Sequence, residues 1–221
     1  MRIKIAPSML AADFSRLAQD IKLVEAGGAD FLHFDVMDGR FVPNLSFGPL
    51  VIKSIRDKTR LPIATHLMVE EPGIFITPFV QAGVDIITVH VECFHQLYVT
   101  IKKIRSHGKK VGLALNPSTP LNSVEHLLEN IDMLLLMTVD PGFGGQLFIQ
   151  GMLPKIRKAR QLIDERRLEI ELAVDGGINL DTAPLVVREG ANVLIAGSAI
   201  FGKRNPKEVI KQLKRLGQDN L

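Results

Sequence analysis

Eight times along this chain a short apolar run ends in a polar or glycine residue and gives way to helical spacing. The runs are IKIAPS, FLHFDVM, PIATHLMV, DIITVHVE, KVGLALNP, MLLLMTVDP, EIELAVDGG and VLIAGSAIF. They are rich in β-branched and large apolar residues and end in Pro, Gly, Asn or Asp, as strands do. Between them, stretches such as FSRLAQDIKLVEAGG, LVIKSIRDKT and LPKIRKARQLIDERR carry apolar residues three and four apart, as amphipathic helices do. A weak internal repeat supports the same parsing. VEAGGADFLHF, VQAGVDIITVH and VREGANVLIAG share a helix end, a Gly, an Asp or Asn and an apolar strand. ENIDMLLLM keeps the Asp and the strand without the Gly. The Gly suits the left-handed residue that closes a helix.

Such alternation in 221 residues predicts an α/β fold, a (β/α)8 barrel (TIM barrel), with residues 1–221 forming one domain. An open doubly wound sheet would gather its polar strand ends at one switch point. Here Ser8, His33 and Asp35, His66, His90, Asn116, Asp140, Asp175, Gly197 and Ser198 fall at the C-terminal ends of successive strands. That distribution predicts one pocket at the C-terminal face of a closed ring. Lys4 and Glu171 lie near strand N-termini and read as structural, a candidate pair.

Composition narrows the function classes. A net charge of +3 with no Trp, one Tyr and scattered helical Lys and Arg argues against nucleic-acid binding. The single cysteine, Cys93, precludes an intrachain disulfide and fits a reducing, cytoplasmic setting. No apolar run is long enough to span a membrane, and MRIKIAPSML lacks a secretory signal pattern, so a soluble protein is expected.

FLHFDVMDGRFVPN sets an imidazole and carboxylates in a buried strand, which is costly without compensation. Strand parity puts His33, Asp35 and Met37 on one face, with Leu32, Phe34 and Val36 on the other. The same parity groups His66 with Met68 and Asp175 with Ala173, while Met137 ends the sixth strand. A barrel mouth with two His and two Asp has the donor set for one divalent metal ion, which would compensate the buried carboxylates. Singly, an HxD pair or a buried His is more often a satisfied core group, and Met is ordinary core filler. Convergence of all of them at one barrel end favours the metal. Three glycine-rich loops share that end: DPGFGGQ (140–146), DGGIN (175–179) and AGSAIF (196–201). Glycines there leave backbone N–H groups free to nest an anion, and the last βα loops of such barrels commonly bind phosphate, with Gly197 and Ser198 as donors.

The stretches IAPSMLAADF, HFDVMDGRFVPNLSFGP, THLMVEEP, GLALNPSTP, MTVDPGFGGQLFI, VDGGIN and AGSAIF closely resemble those of the ribulose-phosphate 3-epimerase family, in the family's order, from Ile5 to Phe201. The resemblance implies a barrel of the ribulose-phosphate binding type that interconverts D-ribulose 5-phosphate and D-xylulose 5-phosphate in pentose phosphate metabolism. It implies one divalent ion per subunit, Zn2+ foremost with Fe2+, Mn2+ or Co2+ as alternatives, on His33, Asp35, His66 and Asp175. Asp35 and Asp175 would be the acid/base pair acting through a 2,3-enediolate, with Ser8 and His66 touching substrate. Phosphate would meet Gly142, Phe143, Gly144, Gly145, Gly176, Gly177, Gly197 and Ser198, and Met37, Met68 and Met137 would line the pocket. A homo-oligomer acting on a small sugar phosphate is implied as well.

Two positions depart from the family's form: Asp140 stands where many members carry Asn, and ELAVDGG replaces a form closer to IEVDGG. The related allulose-6-phosphate 3-epimerases share MTVDPGF but depart from DGGI and the full GFGG seen here, so D-allulose 6-phosphate is the alternative substrate. A phosphate-binding barrel lyase would need a DxKxxD lysine where this chain reads DVMDGR. A non-catalytic sugar-phosphate binder would be expected to have lost an acid or a ligand, and all four are present.

Overall fold

Each of the eight apolar runs forms a strand in the computed structural model, which describes residues 2–93 and 96–216. They are β1 (Lys4–Pro7), β2 (Leu32–Met37), β3 (Ile63–Met68), β4 (Ile86–His90), β5 (Lys110–Leu115), β6 (Met133–Met137), β7 (Glu171–Asp175) and β8 (Val193–Ala196). All pair in parallel, in the order β1-β8-β7-β6-β5-β4-β3-β2. The ring meets itself where Ser8 bridges His33 and the Asp30 N–H donates to Ile5 O at 2.9 Å. This is the (β/α)8 barrel expected from the alternation.

Helices α1 (Leu17–Gly27), α2 (Pro49–Ile55), α3 (Pro72–Ala82) and α4 (Leu97–Ser106) follow the first four strands. α5 (Leu153–Glu165) follows β6, α6 (Ala183–Arg188) follows β7, and α7 (Ser198–Phe201) with α8 (Pro206–Arg215) follows β8. Only the β5–β6 connection lacks an α-helix among the described residues. It uses 3₁₀ segments, Leu121–Ser123 and Glu125–Asn130, which still bury Leu121, Leu127 and Leu128. Pro117 and Pro120 enter this connection and supply no N–H for a regular helical ladder.

The repeated Gly and Asp/Asn have separate tasks. Gly28, Gly83 and Gly190 follow α1, α3 and α6 with φ of 90°, 96° and 101°, a conformation that L side chains resist. Asp30, Asp85, Asp132 and Asn192 accept side-chain hydrogen bonds from the backbone N–H of Ile5, Ile63, Val111 and Leu172, at 2.8, 2.9, 2.8 and 2.7 Å. The acceptors precede β2, β4, β6 and β8, and the donors belong to β1, β3, β5 and β7. The repeat is therefore a two-strand unit that staples strand starts together at the N-terminal end of the barrel. ENIDMLLLM keeps the staple without the Gly because Asp132 carries it.

Strand parity sorts the interior. Leu32, Phe34, Val36, Leu67, Leu134 and Val174 face the helices in the larger apolar cluster. Ala6, Phe31, Ala64, Ala114, Met133, Leu135, Met137 and Ala173 belong to a second cluster inside the ring. Space is tightest at Gly112, where a Cβ would fall 2.2 Å from Thr88 Oγ1. At the opposite end Lys4 and Glu171 are ion-paired, as anticipated.

Candidate active site

Asp35 and His66 are register partners on β2 and β3, and Asp175 ends β7, so the ring itself brings the polar strand ends together. His33 Nε2 lies 3.1 Å from Asp35 Oδ1 and 3.5 Å from Asp175 Oδ2. His66 Nδ1 lies 3.2 Å and 3.9 Å from the same two oxygens. One ligand atom from each of the four residues falls within 4.8 Å of the others. Donors around a tetrahedral divalent ion, bound at about 2.0–2.1 Å, sit about 3.3 Å apart. The observed nitrogen–oxygen separations scatter about that spacing. Two imidazoles and two carboxylates also have the chemistry for it, so this cluster can hold a metal ion.

Burial opposes charge on all four residues, and their neighbours decide the outcome. For Asp35 burial acts upward, but His33 and His66 outweigh it and hold the carboxyl well below the usual range. Asp175 moves the other way, raised by burial and by the nearby Asp35 charge. Burial pulls His33 down, yet Asp35 and Asp175 together push it up to about 10. His66 drops to about 4, through burial first and then the proximity of His90 and His33, which outweigh its bond to Asp35. Two adjacent carboxyls with opposite proton preference are the usual sign of divided acid and base roles.

Above this floor opens a cavity of about 490 Å³. Ser8, Asp35, Met37, Met68, Met137, Gly142, Phe143, Gly144, Gly145, Asp175, Gly176, Gly177, Gly197 and Ser198 all line it. Of the residues given a catalytic, metal, substrate or lining role from the sequence, only His33 and His66 do not line it; His90, Asn116 and Asp140, counted among the polar strand ends, do not line it either. His33 and His66 are fully buried beneath the floor, so His66 contributes to the cluster and not to the cavity wall. Ser8 Oγ donates to Asp35 Oδ2 at 2.6 Å.

The glycine loops are braced from several sides. Gly177 has φ of 66°, and a Cβ on it would meet Phe148 N at 2.5 Å, so no other residue fits that crossing without displacement. Gln146 Nε2 donates to Asp140 O at 2.6 Å and to Phe143 O at 3.0 Å, and Asn44 Nδ2 donates to Gly142 O at 2.8 Å. Thr138 Oγ1 lies 2.9 Å from Asp175 O and 2.5 Å from Gly176 O, so its single proton serves the turn just past Asp175.

Two acids at the barrel mouth stand outside the cluster. Asp38 accepts from the N–H groups of Arg40, Phe41 and Glu70 at 2.9, 2.9 and 2.8 Å, tying two loops together. Those bonds outweigh its burial and keep its carboxyl below the ordinary range. Asp140 is exposed and absent from the cavity wall.

Conversely, sequence reasoning gave no role to His90 or Glu92. His90 is fully buried, with Nε2 at 2.8 Å from His66 Nε2 and Nδ1 at 3.0 Å from Glu92 Oε2. Burial raises Glu92, but bonds from His90, Thr119 and the Asn116 N–H prevail and hold it at about 2. The signal was present: HVE, beginning at the last residue of β4, repeats the His-x-acid spacing that drew attention to HFD on β2.

A family model of the Ribulose-phosphate 3 epimerase family matches residues 4–201. The ribulose-phosphate 3-epimerase of Bacillus subtilis (strain 168) is 49% identical over 213 residues, covering 96% of this chain and 98% of that one. That of Methanocaldococcus jannaschii is 46% identical over 219 residues, covering 99% and 93%. The chloroplastic ribulose-5-phosphate-3-epimerase of Arabidopsis thaliana is 44% identical over 214 residues, covering 96% and 76%. Among solved structures, 3-hexulose-6-phosphate synthase from Salmonella typhimurium aligns over 100% of both chains with a TM-score of 0.68 at 21% identity, a likeness of fold alone.

Proposed function

This chain belongs to the ribulose-phosphate 3-epimerase family, and on that premise we propose that it interconverts D-ribulose 5-phosphate and D-xylulose 5-phosphate by passing the C3 proton between Asp35 and Asp175. The observation that carries this reading is the placement of Asp35 and Asp175 beside His33 and His66 on the floor of the glycine-rimmed cavity. Inverting C3 requires removal of a proton on one face and delivery on the other, hence two groups. The C2 carbonyl acidifies that hydrogen, and its loss leaves a 2,3-enediolate. Asp35, held ionised by its histidines, is the base for one direction. Asp175, whose carboxyl is shifted upward by burial and the Asp35 charge, is the acid in that direction, and the roles exchange for the reverse. Ser8 fixes the Asp35 carboxylate by donating to Oδ2.

His33, Asp35, His66 and Asp175 would hold the divalent ion, with zinc first among iron, manganese and cobalt. Bound there, it would supply Lewis-acid stabilisation of the enediolate oxygens. Met37, Met68 and Met137 surround the reacting carbon with aprotic surface and keep water from reprotonating it at random. Phosphate held by the backbone of Gly142–Gly145, Gly176, Gly177 and Gly197, with Ser198, anchors the far end of the substrate and orients C3 between the acids. The reading describes a cytoplasmic enzyme of pentose phosphate metabolism acting on a free sugar phosphate.

The alternative substrate is D-allulose 6-phosphate, because MTVDPGF, with Asp140, is shared with its epimerases; the Asp140 side chain is exposed and lies off the cavity wall. The deciding experiment is NMR of the metal-loaded protein in D₂O with each sugar, alongside a chelated control. Metal-dependent turnover of the pentulose with deuterium entering at C3 is expected. Turnover of the hexulose alone would reassign the substrate, and no exchange from either sugar would overturn the reading.

A further inference from the structure

Behind the cluster, His66, His90 and Glu92 form one hydrogen-bonded line from β3 through β4 to the residues just after it. An ionised carboxylate only accepts hydrogen bonds. Glu92 Oε1 already accepts from the Asn116 N–H at 2.7 Å, and Oε2 faces His90 Nδ1 at 3.0 Å. His90 therefore carries a proton on Nδ1. A neutral imidazole has one N–H, so His90 Nε2 is left as an acceptor toward His66 Nε2 at 2.8 Å. His66 must then donate from Nε2, and its Nδ1 lone pair faces Asp35 Oδ1 at 3.2 Å and Asp175 Oδ2 at 3.9 Å. The His66 Nδ1 lone pair is thereby directed into the four-residue cluster, as a metal ligand requires.

Ring geometry agrees with a hydrogen bond between the two Nε2 atoms. The His66 and His90 centroids are 4.9 Å apart with planes 24° from parallel. Near-coplanar imidazoles joined edge to edge by a normal hydrogen bond give roughly 5 Å between centroids, more than a face-to-face stack would. Phe41 lies against the His90 ring with its centroid at 4.7 Å and restricts its rotation. His33 has no comparable backing: its Nδ1 is buried without a hydrogen-bond partner among the described residues.

We propose that His90 and Glu92 are positioning residues that lock His66 in the tautomer presenting Nδ1 to a metal ion, so that the strength of metal binding is set in part from strand β4. This rests on the metal-holding reading of the cluster given above. The variants to compare with wild type are His90→Leu, His90→Gln and Glu92→Gln. Glu92→Gln is nearly isosteric; with the Asn116 N–H holding the amide oxygen, its NH₂ faces His90 Nδ1, a donor meeting a donor. His90→Gln can place an amide oxygen where Nε2 accepts.

The experiment measures zinc affinity by competition with a chromophoric chelator and records the visible spectrum of each cobalt(II)-loaded protein. Imidazole ¹H–¹⁵N correlation spectra of zinc-loaded wild type read the tautomers directly. Expected are His66 metal-bound at Nδ1 and protonated at Nε2, with the His90 proton on Nδ1. His90→Leu and Glu92→Gln should lose about 10–100-fold in zinc affinity and shift the cobalt bands, while His90→Gln regains most of the loss. Thermal melts without metal identify any variant that fails to fold, and Glu92→Gln then decides. A proton on His90 Nε2 in the zinc-loaded protein overturns the proposal, as does wild-type affinity in folded Glu92→Gln. A wild type that binds no divalent ion overturns the metal reading itself, whereas a binding wild type with indifferent variants overturns only the lock.

Discussion

At the N-terminal end of the barrel, Asp30, Asp85 and Asp132 each accept a backbone N–H and lie beside a cation: Arg2 and Lys214, Arg56, and Arg105 respectively. At the C-terminal end, Asp35 and Asp175 have no Lys or Arg ion-pair partner among the described residues and share two buried histidines instead. Similar side chains serve opposite purposes because their surroundings differ. Where each acid has its own donors, it fastens two strands together. Where two acids share the same imidazoles, Asp35 is driven down by them while burial and the Asp35 charge drive Asp175 up. In this ring the staples hold the strand starts in register, and that register delivers His33, Asp35, His66 and Asp175 to one point.

The comparison breaks most sharply at the top. Asp175→Asn should cut turnover by about 10³-fold or more while the melting temperature holds, and Asp35→Asn should do the same. A folded variant of either kind that still epimerises at a comparable rate would sink the two-acid scheme. At the bottom the signature reverses. Asp132→Ala should cost about 1–3 kcal/mol in a urea titration, with kcat unchanged once the protein is folded. A drop in kcat without loss of stability would show that the two ends are not separable in this way.

Between the ends, Gly112→Ala sharpens the contrast, since the new Cβ has no space beside Thr88. Overpacking there should cost about 1–3 kcal/mol, read as a lowered urea midpoint. A pH titration of stability separates Glu92 from the staples. Its carboxyl is held at about 2 against an ordinary value of 4.5, so its contribution is complete above 4.5 and is lost as pH falls toward 2. Glu92→Gln should therefore flatten the fall in urea midpoint across that window; an unchanged acid limb would count against the bond network around Glu92. The smallest effect is expected at Lys4→Met, no more than about 1 kcal/mol, because its partner Glu171 is half-exposed and also bonded by Asn192.

Much of this was legible in the order of residues. Alternating apolar runs and helical spacing led to eight strands in a ring, and parity alone put His33, Asp35 and Met37 inside and Phe34 outside. The glycine-rich loops and methionines fell where the strand ends placed them, around one cavity. The repeat was visible, but its Asp and Asn could not be seen as staples, because each acts on the strand before the helix it follows. The 3₁₀ connection after β5 was missed because its apolar spacing resembles a helix while its prolines remove donors.

His90 and Glu92 show where the boundary lies. Their spacing at the end of β4 could be read, but their partner could not: in the register Asp35 pairs with His66 and His66 with Thr88, not with His90. The sequence by itself determined which groups face the interior, since side-chain direction along a strand follows from local chain geometry with a period of two. Only the tertiary structure decided which of those groups meet. Strand tilt and stagger around a closed ring set the height of each side chain relative to its neighbours, and they depend on every strand at once.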